Sequence, residues 1–124
     1  MLRVSAMERD RFTELIGSAP TNFLVMDFSP SEDHEAIREG VQRVCSQFPD
    51  EYWREKDDQH EFPWDFYEAM AEGGWIGIAI PEEFGGGGQG ITEASIVLEE
   101  VAASGAAMNG CSAIHLSIFG MEPV

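Results

Sequence analysis

A few small groups of side chains have the types and spacing from which chemistry is built. Gly85, Gly87 and Gly90 fit G-x-G-x-x-G, the spacing that lets a strand-to-helix turn press its amides against a pyrophosphate. Here Pro81–Phe84 stands between the preceding apolar segment and the glycines, and no acid lies between Glu100 and Glu122 to meet a ribose. No Lys-Ser/Thr pair makes a P-loop. The glycines therefore read as a connection between helix pairs that bends freely. Cys111 and His115, four apart, could form half a zinc site, but no second pair completes it. His34 shares its helical face with Arg38, and His60 stands alone in a charged stretch. Ser112 and His115 are three apart, without an oxyanion loop or an orienting acid. Glu82-Glu83 and Glu99-Glu100 read as solvated faces rather than acid/base pairs. No residue is assigned as catalytic or as a metal ligand.

The elements that must position these groups read as helices. Ser29 is a capping-box candidate, with Pro30 at the first helical position and Glu32 three residues on. Ile37, Val41, Val44, Cys45 and Phe48 then recur at helical spacing up to Pro49. Asp50–Glu61 reads as a charged connector with at most one turn around Tyr52-Trp53. A short helix follows Pro63, with Phe66, Tyr67, Met70 and Ala71 on one face, and Gly73-Gly74 ends it. Trp75, Ile76, Ile78 and Ile80 form an extended apolar segment. If Trp75 is in the core, Trp75→Ala costs about 3–5 kcal/mol.

Thr92 is the next cap candidate. Its helix runs to about Ser104, with Ala94, Val97, Leu98 and Val101 inward and Glu93, Glu99 and Glu100 outward. Gly105 stops it, and a last helix runs from near Met108 or Asn109 to Phe119. The fold class is all-α, with four main helices. Before it, Met1–Asp27 has mixed character: Glu8, Phe12, Leu15 and Ile16 could make a short helix, and Pro20–Asn22 a turn. Residues 1–25 are expected to be a poorly ordered extension, with the domain spanning 26–124.

At 124 residues the chain suffices for one core. It carries 23 acids against 7 Lys and Arg, a net charge of −16, which disfavours nucleic acid and anionic lipid. All but Glu122 of those acids precede Val101. Val101–Met121 has no charged residue, but Ser104, Asn109, Ser112, His115 and several glycines make it a poor membrane span. No secretory signal is present, and Cys45 and Cys111 read as reduced thiols in a cytoplasmic protein.

Two stretches carry a family resemblance. Trp75-Ile76-Gly77-Ile78-Ala79-Ile80-Pro81-Glu82-Glu83-Phe84-Gly85-Gly86 is one, and Ser95-Ile96-Val97-Leu98-Glu99-Glu100-Val101-Ala102 with the uncharged helix ending in Phe119-Gly120 is the other. With the Ser31–Arg38 and Pro63 helices, in the same order, they resemble the N-terminal helical domain of acyl-CoA dehydrogenases. The resemblance implies FAD-dependent α,β-desaturation of an acyl-CoA thioester, an electron-transfer flavoprotein as redox partner, a role in fatty acid metabolism, and a homo-oligomer. It also implies that the flavin-binding β-domain and the domain with the catalytic glutamate are missing here, so that this fragment is inactive alone and binds no FAD by itself. By position in the family, Cys111, Ser112, His115, Leu116 and Phe119 face the acyl-chain pocket. Without covering partners, the last helix is expected to expose apolar surface around Ile114, Ile118 and Phe119. The alternative is a stand-alone acidic helical interaction module without catalysis.

Overall fold

In the computed structural model, residues 29–120 are described; the expectations for residues 1–25, and the proposed domain start at Met26, lie outside them. The described residues form five α-helices and no strand: α1 (Glu32–Cys45), α2 (Asp50–Gln59), α3 (Trp64–Glu72), α4 (Ile91–Val101) and α5 (Ala107–Phe119). The all-α expectation holds, with one helix more than expected.

Ser31, not Ser29, caps α1. Its hydroxyl accepts from the His34 amide at 3.2 Å, and His34 Nδ1 accepts from the Ser31 amide at 3.3 Å. A histidine thus takes the place of the glutamate in a capping box. Glu32, Asp33 and Glu35 lie in the first turn, where acids complement the helix dipole.

The charged connector is helical throughout as α2, because one apolar anchor holds it. Trp53 is buried among Phe48, Tyr52 and Phe66, with ring centroids 4.9–6.4 Å away, and its indole N–H donates to the Phe48 carbonyl at 3.1 Å. The acids of α2 face water around that anchor. α3 buries Phe66 and Met70, while Ala71 faces out. Its end is a Schellman turn at Gly73-Gly74: the Trp75 amide donates to the Met70 carbonyl at 3.0 Å and the Gly74 amide to that of Ala71 at 2.9 Å.

Residues 75–80 are a run of turns rather than an extended segment. Ile78 is buried, but Trp75 is only half-buried, lying edge-on over Gly40 and Gly73. Trp75→Ala is therefore expected to cost less than the full-core value.

α4 starts two residues earlier than Thr92 predicts. Gly90 is its cap, and Glu93 accepts the Gly90 amide at 2.9 Å. The helix packs most extensively on α1. Between α4 and α5 a wide π-turn, Ala102–Ala106, reverses the chain at Gly105, whose φ is +96°. A Cβ there would meet Asp50 Oδ1 at 2.6 Å, so glycine serves both the backbone conformation and the close approach of α2. The core draws on every helix: Val41 and Cys45, Trp53, Phe66 and Met70, Val97 and Val101, Ile114 and Ile118.

Candidate functional site

Residues 107–119 make a helix whose two sides differ in kind. Successive residues advance 100° around the axis, so Gly110, Ala113, Ile114 and Ile118 fall together and are buried. The small residues bring neighbours close: a Cβ on Gly110 would meet Ala106, Val101 and Trp53 within 3.2 Å. Ser117 flanks this face and shares a 3.2 Å hydrogen bond with the Tyr67 hydroxyl of α3. The opposite side carries Met108, Ser112, His115, Leu116 and Phe119. Met108 is 77% exposed and Leu116 70%. Ser112 and His115 are exposed, and Phe119 is half-buried with its ring centroid 5.8 Å from that of His115.

Four of the five pocket candidates thus share one outward stripe: Ser112, His115, Leu116 and Phe119. Cys111 stands at its margin, half-buried against α4, with its thiol 3.6 Å from the Leu98 carbonyl; burial pushes its pKa up, as it does for Cys45. Both thiols are free. The stripe is one open wall and not a closed pocket. Of the residues around which exposed apolar surface was expected on this helix, Ile114 and Ile118 are buried and Phe119 is half-buried, whereas Met108 and Leu116 stand out.

Sequence reasoning missed the surroundings of this wall. A groove of about 490 Å³ runs beside it, lined by Phe62, Met108, Asn109 and Ser112 and by the charged or titratable Lys56, Asp57, His60 and Glu61. Phe62 and Trp64, both exposed, meet at a tilt with ring centroids 4.5 Å apart and adjoin Tyr67, which reaches Ser117. The clue was present in the Phe-Pro-Trp run at 62–64, whose aromatics outnumber what one short helix can bury.

The glycine loop is not a nucleotide cradle. Six consecutive amides are spent internally: Gly85 on Glu82, Gly86 on Pro81, Gly87 on Gly77, Gly88 on Ile80, Gln89 on Ile78, and Gly90 on the Glu93 carboxylate. Nor does the loop bend freely, because it is bonded back onto residues 77–82. A cleft of about 600 Å³ between this loop, Trp75 and the start of α1 has Asp33 and Gln89 as its polar side chains, far from a phosphate-binding composition. The described residues hold no group of three or more His, Cys, Asp or Glu side chains that could bind a metal ion, and no helix long and apolar enough to cross a membrane.

The carboxylates expected to point outward divide. Glu99 is exposed and paired with Arg38 at 2.8 Å. Glu100 is buried, accepting from Gln42 at 2.7 Å and from Arg38. The Gln42 hydrogen bond, then Arg38, hold its pKa below the ordinary value despite burial. Glu93 accepts from His34 Nε2 at 2.9 Å, and that bond lowers its pKa too. Since His34 Nδ1 accepts the Ser31 amide, the neutral ring carries its proton on Nε2. These acids latch α1 to α4.

Comparison with known proteins follows the same lines. Residues 31–124 match the family described as acyl-CoA dehydrogenase, N-terminal domain. The chain is 37% identical over 81 residues to acyl-CoA dehydrogenase FadE12 of Mycobacterium tuberculosis, covering 65% of this chain and 21% of that protein. It is 34% identical over 82 residues to a probable acyl-CoA dehydrogenase, YdiO, of Escherichia coli, with the same coverage. It is 34% identical over 91 residues to an acryloyl-CoA reductase (NADH) of Anaerotignum propionicum, covering 73% of this chain and 23% of that one. The chain thus spans about a fifth of the length of the curated relatives it matches. No solved structure matches.

Proposed function

Because the chain belongs to the acyl-CoA dehydrogenase family through its N-terminal domain, we propose that it supplies one wall of the acyl-chain site of a flavin-dependent acyl-CoA oxidoreductase and is inactive alone. The outward stripe of α5 carries this reading. Ser112, His115 and Leu116 form an exposed uncharged surface, bordered by Phe119 and Cys111, which also pack partly against the core. A thioester's alkyl portion needs such a surface, and the acids that dominate the rest of the chain would be costly beside it.

FAD, when bound, supplies the hydride acceptor of α,β-desaturation. No described residue is assigned to hold it or to take the α-proton. The domain's part is to bind and orient the acyl chain and to exclude water from one side of it. Transfer of electrons to an electron-transfer flavoprotein, assembly as a homo-oligomer and a cytoplasmic setting belong to the same proposal.

Two measurements test it. The purified chain should be colourless and should not reduce an electron-accepting dye with any acyl-CoA. A yellow protein bleached by acyl-CoA would overturn the claim of inactivity alone. A chimera with residues 31–124 in place of the matching stretch of FadE12 should bind FAD and be reduced by acyl-CoA. A folded, flavin-loaded chimera that no acyl-CoA reduces would overturn the wall reading and favour an interaction module, for which exposed Phe62, Trp64, Met108 and Leu116 are suited.

A further inference from the structure

Two helix caps meet at one imidazole. The Ser31 amide donates to His34 Nδ1 at 3.3 Å, and His34 Nε2 donates to Glu93 Oε1 at 2.9 Å. The other oxygen of that carboxylate, Oε2, accepts the Gly90 amide at 2.9 Å. An unbroken run of three bonds therefore joins the cap of α1 to the cap of α4. Both side chains in it are half-buried, His34 at 25% and Glu93 at 19% exposure. The ring fills both roles open to a neutral imidazole, acceptor at one nitrogen and donor at the other. The remaining bond of the capping box, from the His34 amide to the Ser31 hydroxyl at 3.2 Å, uses neither ring nitrogen.

We propose that His34 is a one-sided proton switch: a proton taken from solvent at Nδ1 releases the Ser31 amide and loosens the entry to α1, while the latch from α1 to α4 tightens. An imidazolium has two donors and no acceptor. The Ser31 amide would then face another N–H, and turning the ring over would offer it nothing better. On the other side, the bond from Nε2 to Glu93 becomes charge-assisted, and so shorter and stronger. The charges around the ring bear on the uptake from both helices. Glu93 of α4 and the first-turn acids Glu32, Asp33 and Glu35 of α1 favour it. The positive end of the α1 dipole opposes it, as does Arg38 one turn on, whose charge is already held by Glu99 and Glu100. The loop before α4, Gly85–Gly90, has no charged side chain. Glu93, whose pKa is lowered first by the His34 bond, stays charged while the ring titrates. A glutamine at this position of a capping box accepts at any pH; a histidine makes the cap conditional on pH near neutrality.

The test is an NMR titration of the full chain, labelled with 15N, from about pH 8 to about pH 5.5. At the upper end the ring spectrum should show the proton on Nε2. As the ring charges, protection of the Ser31 amide from fast solvent exchange, corrected for the intrinsic rate at each pH, should fall about 3- to 10-fold, the worth of one capping bond. The fall should share the midpoint of the ring, and the Gly90 amide should keep its protection. His34→Gln should keep the Ser31 amide protected across the whole range and abolish the response. Ser31 protection that ignores the ring titration, or a ring proton on Nδ1 at the upper end, would overturn the switch. A response that persists in His34→Gln would also overturn it and assign the effect to Glu32, Asp33 or Glu35. Release of Gly90 together with Ser31 would overturn its one-sidedness, because the whole seam would then be opening.

Discussion

The seam between α1 and α4 and the junction of α2 with α3 hold the same domain together by opposite means. The seam is polar: His34 to Glu93, Arg38 to Glu99 and Glu100, and Gln42 to Glu100 cross it in sequence down its length. The junction is dry: Phe48, Tyr52, Trp53 and Phe66 meet edge to face at 4.9–5.4 Å, and a single indole hydrogen bond fixes the register. Burial of aromatic surface is large and insensitive to salt or pH. Charged latches return less free energy each, but they fix which groups must be opposite one another. In a chain this acidic, the seam also spends two cationic or protonatable groups, Arg38 and His34, on three of its carboxylates.

Removing the anchor of the dry junction should do the most damage. Trp53→Ala is expected to cost about 3–5 kcal/mol in chemical denaturation, with little change between low and high salt. A loss under about 1 kcal/mol would break the contrast. In the seam, Glu100→Gln should cost about 1.5–3 kcal/mol, because the charge facing Arg38 is lost and one of the two acceptor oxygens becomes an NH2 opposite a donor.

Acid should separate the two regions further. Glu93 and Glu100 have folded-state pKa values below the ordinary 4.5. The unfolded chain therefore takes up their protons first, and their contribution, complete above about 4.5, is lost as pH falls through the lowered folded values. Stability followed from pH 7 downward should drop in that window, and Glu100→Gln should flatten the drop; an unchanged acid limb would contradict the latch. The smallest effect is expected at Glu99, which is 62% exposed. Glu99→Gln should cost at most about 1 kcal/mol and vanish in high salt.

The sequence made the dry elements readable where apolar residues recur: Val41 with Cys45, Phe66 with Met70, Val97 with Val101. It concealed α2, where one buried tryptophan anchors ten mostly charged residues and periodicity has nothing to count. It concealed the seam for another reason. Its partners lie about sixty positions apart, and no local pattern marks Glu100 as buried and Glu99 as exposed. Caps were displaced by two residues, at Ser31 for Ser29 and Gly90 for Thr92, since several candidates in each run satisfy the same rule. For the candidate site, helix and residues were legible through the absence of charge and the family resemblance. Which side of α5 faces outward was not, because small and apolar residues occur all round it.

The loop at 85–90 has a consequence for how the domain exchanges with solvent. Glycine-rich loops are ordinarily the first places where amide protons are lost to deuterium and where proteases cut. Here every amide from Gly85 to Gly90 is engaged, and a Cβ on Gly86 would collide with the Ile80 carbonyl, so the loop lies in contact with the segment before it. Deuterium uptake across the loop should be slow and should accelerate only together with residues 77–82. The segment with the most glycine would then behave as a rigid corner that sets the direction in which α4 leaves it.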